Sequence, residues 1–212
     1  PFGDDADKRA LIASFLERYL KALDDEHISA ICDLPASENP LYLKVVLSEL
    51  RVFGAFKQLE EEIGRFGKSP LEAFDSLLRR LESDEAHSPI APKNAVPFLF
   101  GLLACARKGL SEDELAFCFG REFAGLSDDG IRHTIRLFVR QVRPFLARRE
   151  GRVDFLYESF MLAARDRYSS RPRYLHAHLA ECFRSRADSG GDSRYEGKSV
   201  RAFEELPYHL HH

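Results

Sequence analysis

Few residue sets in this 212-residue chain have the types and spacing to do chemistry unaided. Gly67-Lys68-Ser69 has the ending of a phosphate-binding loop, GxxxxGK[ST], in which backbone amides and the lysine cradle phosphates. The motif requires a glycine where the chain has Glu62, and no strand pattern precedes it, so Ser69-Pro70 reads as a helix start. His178 and Cys182 stand one helical turn apart, as half of a metal site would, with His176 nearby. The remaining ligands are missing at the usual spacing, which favours ordinary helix-surface residues. His209, His211 and His212 are set aside as the remnant of a purification tag. No Ser/His/Asp or Cys/His set stands out, and no apolar run ends in paired acids that could hold Mg²⁺. The chain is therefore not expected to be an enzyme by itself.

One basic constellation remains. Arg132, Arg136, Arg140 and Arg143 recur at helical spacing, and Arg148, Arg149 and Arg152 follow within a short hairpin pattern. A winged helix that binds DNA keeps its phosphate contacts in such places. The same arginines would equally serve as a solvated or domain-docking face. That second reading is preferred, because net charge is −3 overall and splits into −7 over residues 1–90 and +4 over residues 91–212. An acidic first half offers the basic second half an electrostatic partner.

The elements that would carry these residues are helical for the most part. Leu11, Phe15, Leu16, Tyr19, Leu20 and Leu23 recur at three- and four-residue steps, which predicts a helix over 7–23. A short helix follows from Glu26 to Leu34. Asn39 is a good N-cap and Pro40 suits the first helical position, where its missing N–H is not needed; Leu43, Val46, Leu47, Leu50 and Phe53 continue that stripe until Gly54. Another helix is expected over Phe56 to Phe66, and Ser69-Pro70-Leu71-Glu72 is a capping box for a helix running to about Glu82. Residues 83–92, charged and Pro-containing, have the composition of a linker.

Beyond it, residues 94–107 are almost wholly apolar, as a helix buried in a domain centre would be, and Gly109 supplies its stop. Ser111 and Glu114 form a second capping box, for a helix ending near Cys118. A third helix begins at Ser127, carries Ile131, Ile135, Phe138, Val139 and Val142, and ends before Pro144. Phe145–Arg149 and Val153–Tyr157 then read as two strands about a Gly-containing turn. Three helices and a hairpin is the order of a winged helix. Helices over 158–168 and 173–187, a Gly/Ser-rich loop, and a last helix from about Val200 complete the chain. The expected architecture is thus mostly α: a helical lid-like domain at 1–85, a linker at 86–93, a winged-helix domain at 94–170 and C-terminal helices at 171–212 leading towards a repeat or helical domain.

Composition limits the setting. With 44% apolar and 31% charged residues the chain suits folded domains with real cores, and no run approaches the roughly 20 apolar residues that span a bilayer. Cys32, Cys105, Cys118 and Cys182 form no CxxC pair, which fits a reducing, cytoplasmic location. The first residues, PFGDDADKRA, lack Met and are acidic and polar, as in an excised fragment without a signal peptide.

Four ordered segments carry a family resemblance: SENPLYLKVVLSELRVFG, LEAFDSLLRRLESD, GLSEDELAFC and RVDFLYESFMLAARDRY. Together they resemble the region after the nucleotide-binding core of STAND-class ATPases, particularly NACHT-type proteins with TPR or WD repeats. The resemblance implies a helical lid and the winged helix that keeps it closed on ADP, with ATP or ADP and Mg held by the upstream core of a parent ATPase. It implies that Pro40 packs on the nucleotide's base or ribose, although a plain first-turn proline would look the same. Tyr157 falls where many relatives have a His that reaches the β-phosphate. A phenol donates a hydrogen bond without positive charge, so Tyr157 is either a weaker lock or a core residue of the hairpin, the latter preferred. The implied partners are the upstream core and downstream repeats of the same chain, with homo-oligomerisation on activation, no membrane, and nucleic acid disfavoured. The competing function is a winged-helix nucleic-acid-binding protein with a helical docking or dimerisation domain.

Overall fold

The computed structural model describes residues 4–51, 64–86, 88, 91–168 and 170–212. Among these residues the chain forms ten α-helices and one three-stranded antiparallel sheet, so it is mostly α, as its periodicity predicts. It divides into two compact units, Pro1–Arg80 and Leu81–His212.

In the first unit, α1 spans Asp5–Glu17, α2 Asp25–Cys32 and α3 Pro40–Leu50, and α4 begins at Pro70. Helix α1 stops six residues before the expected end at Leu23, because Leu20 adopts a left-handed backbone (φ 54°) that no helix continues through. Its inner face is also displaced: Ile12 and Leu16 are buried, whereas Leu11, Tyr19 and Leu20 are exposed. Helix α3 starts as its sequence requires, with Asn39 Oδ1 accepting from the Leu41 and Tyr42 N–H groups at 2.9 and 3.3 Å. Tyr42, Leu43, Val46 and Leu47 fill the core with Phe74 and Leu77 of α4. The buried Glu49 receives a two-pronged bond from Arg80, at 2.5 and 3.1 Å. The expected end of α3 at Phe53-Gly54 and most of the expected helix over Phe56 to Phe66 lie outside the described residues; Gly64–Phe66 forms a 3₁₀ turn. Ser69 caps α4, and the Glu72 carboxylate reaches back to the Lys68 N–H (2.9 Å).

Helix α4 runs on to Ala86, through the first part of the stretch read as linker. Glu85 explains why: its carboxylate accepts from the Asn94 and Val96 N–H groups at 2.5 and 2.6 Å, capping the next helix from a distance. That helix, α5 (Ala95–Cys105), is the buried centre of the second unit, followed by α6 (Glu112–Glu122) and α7 (Asp128–Gln141). Strands β2 (Leu146–Arg149) and β3 (Arg152–Phe155) form the hairpin, shorter at both outer ends than expected, since Phe145 closes a 3₁₀ turn and Leu156 and Tyr157 lie in a bend. Glu150 and Gly151 both take positive φ (51° and 75°), the signature of a two-residue type I′ turn. A third strand, β1 (Leu110–Ser111), pairs with β3 through Leu110 opposite Val153, giving the order β1-β3-β2. Three helices closed by such a sheet is winged-helix architecture. Helices α8 (Glu158–Tyr168), α9 (Pro172–Ala187) and α10 (Val200–His211) complete the unit, with α8 and α9 packed on α5 and α10 on α9.

Candidate functional site

The arginines of α7 do not form one face with one use. Arg132 reaches Asp113 at 2.9 Å and Glu112 at 3.5 Å, and Arg136 reaches Glu112 at 2.6 Å. Both acids belong to the first turn of α6, so these two charges are spent inside the winged helix. Arg140, Arg143, Arg148 and Arg149 are exposed, and Arg152 pairs with Glu150 across the hairpin turn. The candidate docking face therefore contracts to Arg140 and Arg143 with the neighbouring strand residues.

Pro40 belongs to the first unit and Tyr157 to the second. The Pro40 ring is exposed, but the amides beside it are not available to an anion, because Asn39 Oδ1 already takes two of them. The described residues around Pro40 thus offer a flat apolar surface for a base or ribose and no cradle for phosphate. Tyr157 is half-buried, its ring 6.5 Å from that of Phe145.

His176 and Cys182 of α9 are buried and His178 is half-buried, contrary to the helix-surface expectation. His178 sets its ring edge-on to Phe98 and Tyr174, at 5.0 and 4.8 Å between centroids, with Nε2 3.4 Å from Glu122. Cys182 and Cys118 are both wholly buried and meet between α9 and α6. Contact with Cys182, and then burial, pushes the Cys118 thiol far above its ordinary range, so it is a poor nucleophile. Among the described residues no group of three or more His, Cys, Asp or Glu is placed to hold a metal ion. His209, set aside as tag, is 3% exposed; it stacks on Phe183 and shares a 2.8 Å hydrogen bond with His176.

One heavily bonded group is a residue that sequence reasoning treated only as a cap. Glu114 closes the capping box with Ser111, its Oε2 accepting from the Ser111 N–H at 2.8 Å. Its other oxygen accepts from Arg186 of α9 and from Arg201 of α10, each at 2.9 Å, although the residue is only 2% exposed. Arg201 also donates to the Gly109 carbonyl at 2.6 Å and lies 5.3 Å above the Phe183 ring. Glu205, buried on α10, takes Arg107 at 3.3 Å. These bonds fasten the last two helices to the start of α6 and the turn before β1. The Ser-x-x-Glu spacing marks Glu114 as a cap, but its partners lie 72 and 87 residues away, where no local pattern points.

Comparison with known proteins finds a distant similarity to part of a much longer protein. The chain is 24% identical over 215 residues to a TPR repeat-containing protein of Dictyostelium discoideum, a match that covers 99% of this chain and 12% of that protein. It is thus a distant relative of a large multidomain repeat protein and spans about one eighth of its length. No family model and no solved structure matches.

Proposed function

We propose that this chain is the lid and winged-helix portion of a STAND-type, NACHT-like signalling ATPase, regulatory and non-catalytic by itself. The parent's upstream core would hold ATP or ADP with Mg, and opening of the winged helix would be passed to helical repeats downstream. The observation that carries the reading is the Glu114 linkage. A winged helix whose second helix is ion-paired to α9 and α10, and whose turn is hydrogen-bonded to α10, is coupled to their movement, which is what a relay between a nucleotide core and repeats needs. Relation to a large TPR repeat-containing protein supports the same placement. Four cysteines held as free thiols suit the cytoplasm of this proposal.

The nucleic-acid reading loses ground because Arg132 and Arg136 are neutralised by α6 acids. The test is made on the full-length parent and on the 212-residue chain side by side. The chain alone should neither turn over ATP nor bind ADP at micromolar concentrations in calorimetry, whereas the parent does both. Reversing Arg140 and Arg143 to Glu in the parent should speed ADP release if they dock the closed form. A parent without a GxxxxGK[ST] loop upstream, or sequence-selective DNA binding by the chain at physiological salt, overturns the proposal.

A further inference from the structure

Helix α10 is apolar on two sides. Its inner side buries Ala202, Leu206 and His209 against α9. On its outer side Val200, Phe203, Pro207 and Leu210 recur at steps of three and four residues and all face solvent, with Val200 72%, Phe203 42% and Leu210 57% exposed. Such spacing aligns side chains along one stripe of an α-helix. A surface helix has no need of a second stripe unless something covers it. Pro207 also removes the N–H that the Phe203 carbonyl would accept within the helix, leaving that acceptor beside the stripe.

We infer that this outer stripe is the docking surface for an amphipathic helix from a helix-pair repeat carried on the same polypeptide. The inference rests on the proposed placement before helical repeats and names the surface through which they engage. Two observations select the occupant. Helices α9 and α10 already form a packed helix pair, and stacked-repeat proteins are built from such pairs, each burying one face on its predecessor and leaving another for its successor. Four side chains along three helical turns fall short of the ~800 Å² per partner that a stable complex between free proteins buries. Covalent linkage removes that requirement, because a tethered helix meets the stripe at high effective concentration. A second copy of the chain gains no such help.

The experiment compares the 212-residue chain with the same chain extended by the next two repeat lengths of its own coding sequence, about 68 residues, using amide hydrogen exchange. The expected result is about tenfold slower exchange over residues 200–210 in the extended chain. The double variant F203S/L210S should abolish that slowing, while its circular dichroism and melting as the unextended chain remain unchanged because both side chains are solvent-exposed there. Equal exchange in both lengths overturns the inference, as does a coding sequence with no helix pair in that stretch. Sedimentation of the unextended chain as a dimer that F203S/L210S dissociates also overturns it, in favour of a second copy. If F203S/L210S melts the unextended chain, the single variant V200S is read instead by the same exchange comparison. The absence of a nucleotide-binding loop upstream would refute the ATPase reading without altering any of these exchange results.

Discussion

At the scale of single residues, two kinds of ion pair in the winged-helix unit differ in what they hold. Arg132 and Glu112 are each 38% exposed at the side chain, so water and salt screen the pair and its loss should have little effect on stability. Glu114 is different, with its carboxylate 3% exposed and two guanidiniums upon it. Glu114→Gln keeps a side chain able to accept from the Ser111 N–H, which isolates the loss of charge from the loss of the cap. Arg186 and Arg201 would then lack their shared anion in a site mostly closed to water. Removing one partner of a buried pair costs about 3–5 kcal/mol, and the partial exposure of Arg186 places the expectation near 3. Urea unfolding should therefore show a lowered midpoint for the Leu81–His212 unit. A loss below 1 kcal/mol would mean that the two arginines find other partners and that the linkage is weak.

Among elements, the winged sheet depends on a glycine more than on its strands. Gly109 has φ 65°, and a Cβ there would lie 2.5 Å from the Val153 carbonyl oxygen of β3. Gly151 has φ 75° but open space around it. Gly151→Ala should then cost about 1 kcal/mol for backbone strain alone, whereas Gly109→Ala adds a clash with fixed backbone and should cost at least ~2 kcal/mol. Thermal melting of the two variants checks the order, and equal costs would show that β1 shifts freely. The contrast explains what the sequence could reveal. Helix starts were legible because their determinants are local: Asn39, Ser111, Ser127 and Ser199 each bond an amide within the first turn of the helix they open. Strand β1 was not, since two residues carry no alternation and their partner lies 43 positions further along, at Val153. The continuation of α4 to Ala86 was hidden in the same way, by a Glu85 carboxylate that caps α5 across nine and eleven residues. The candidate site was legible as residue types only; that Arg132 and Arg136 face α6, and that His209 lies in the core, follows from packing.

For the whole molecule, burial of ionisable groups should make the two units respond differently to acid. In the second unit, burial lowers the His176 and His178 imidazoles and takes His209 to about 3. Helices α9 and α10 and the segment after α5 surround His209 with His176, Glu205, Arg107, Arg201 and His212, and electrostatic repulsion from His176, Arg107, His212 and Arg201 adds to the burial that disfavours its charge. An unfolded chain binds protons at these histidines as pH falls through about 6.5, while the folded unit resists, so the unfolded state holds more protons. Stability of this unit must then fall with pH below about 6.5, by up to ~1.4 kcal/mol per pH unit from His209, with His176 and His178 acting in the same direction. Glu85 and Asp154, raised by burial, act in the opposite direction near and above the ordinary carboxylate range and soften the decline only at lower pH. In the first unit the Asp5 and Asp24 carboxylates are lowered by bonds to Lys8 and His27, and their contribution disappears only below about 4. Amide exchange measured between pH 7 and pH 5, corrected for its intrinsic pH dependence, should show protection falling in α5 and α9 and steady in α3. His209→Phe should flatten part of that decline, since an uncharged ring in the same stack on Phe183 has no proton to refuse. Protection that is level in α5 and α9 down to pH 5 would mean that water reaches these imidazoles, and that the His176–His209 contact opens without cost to the unit.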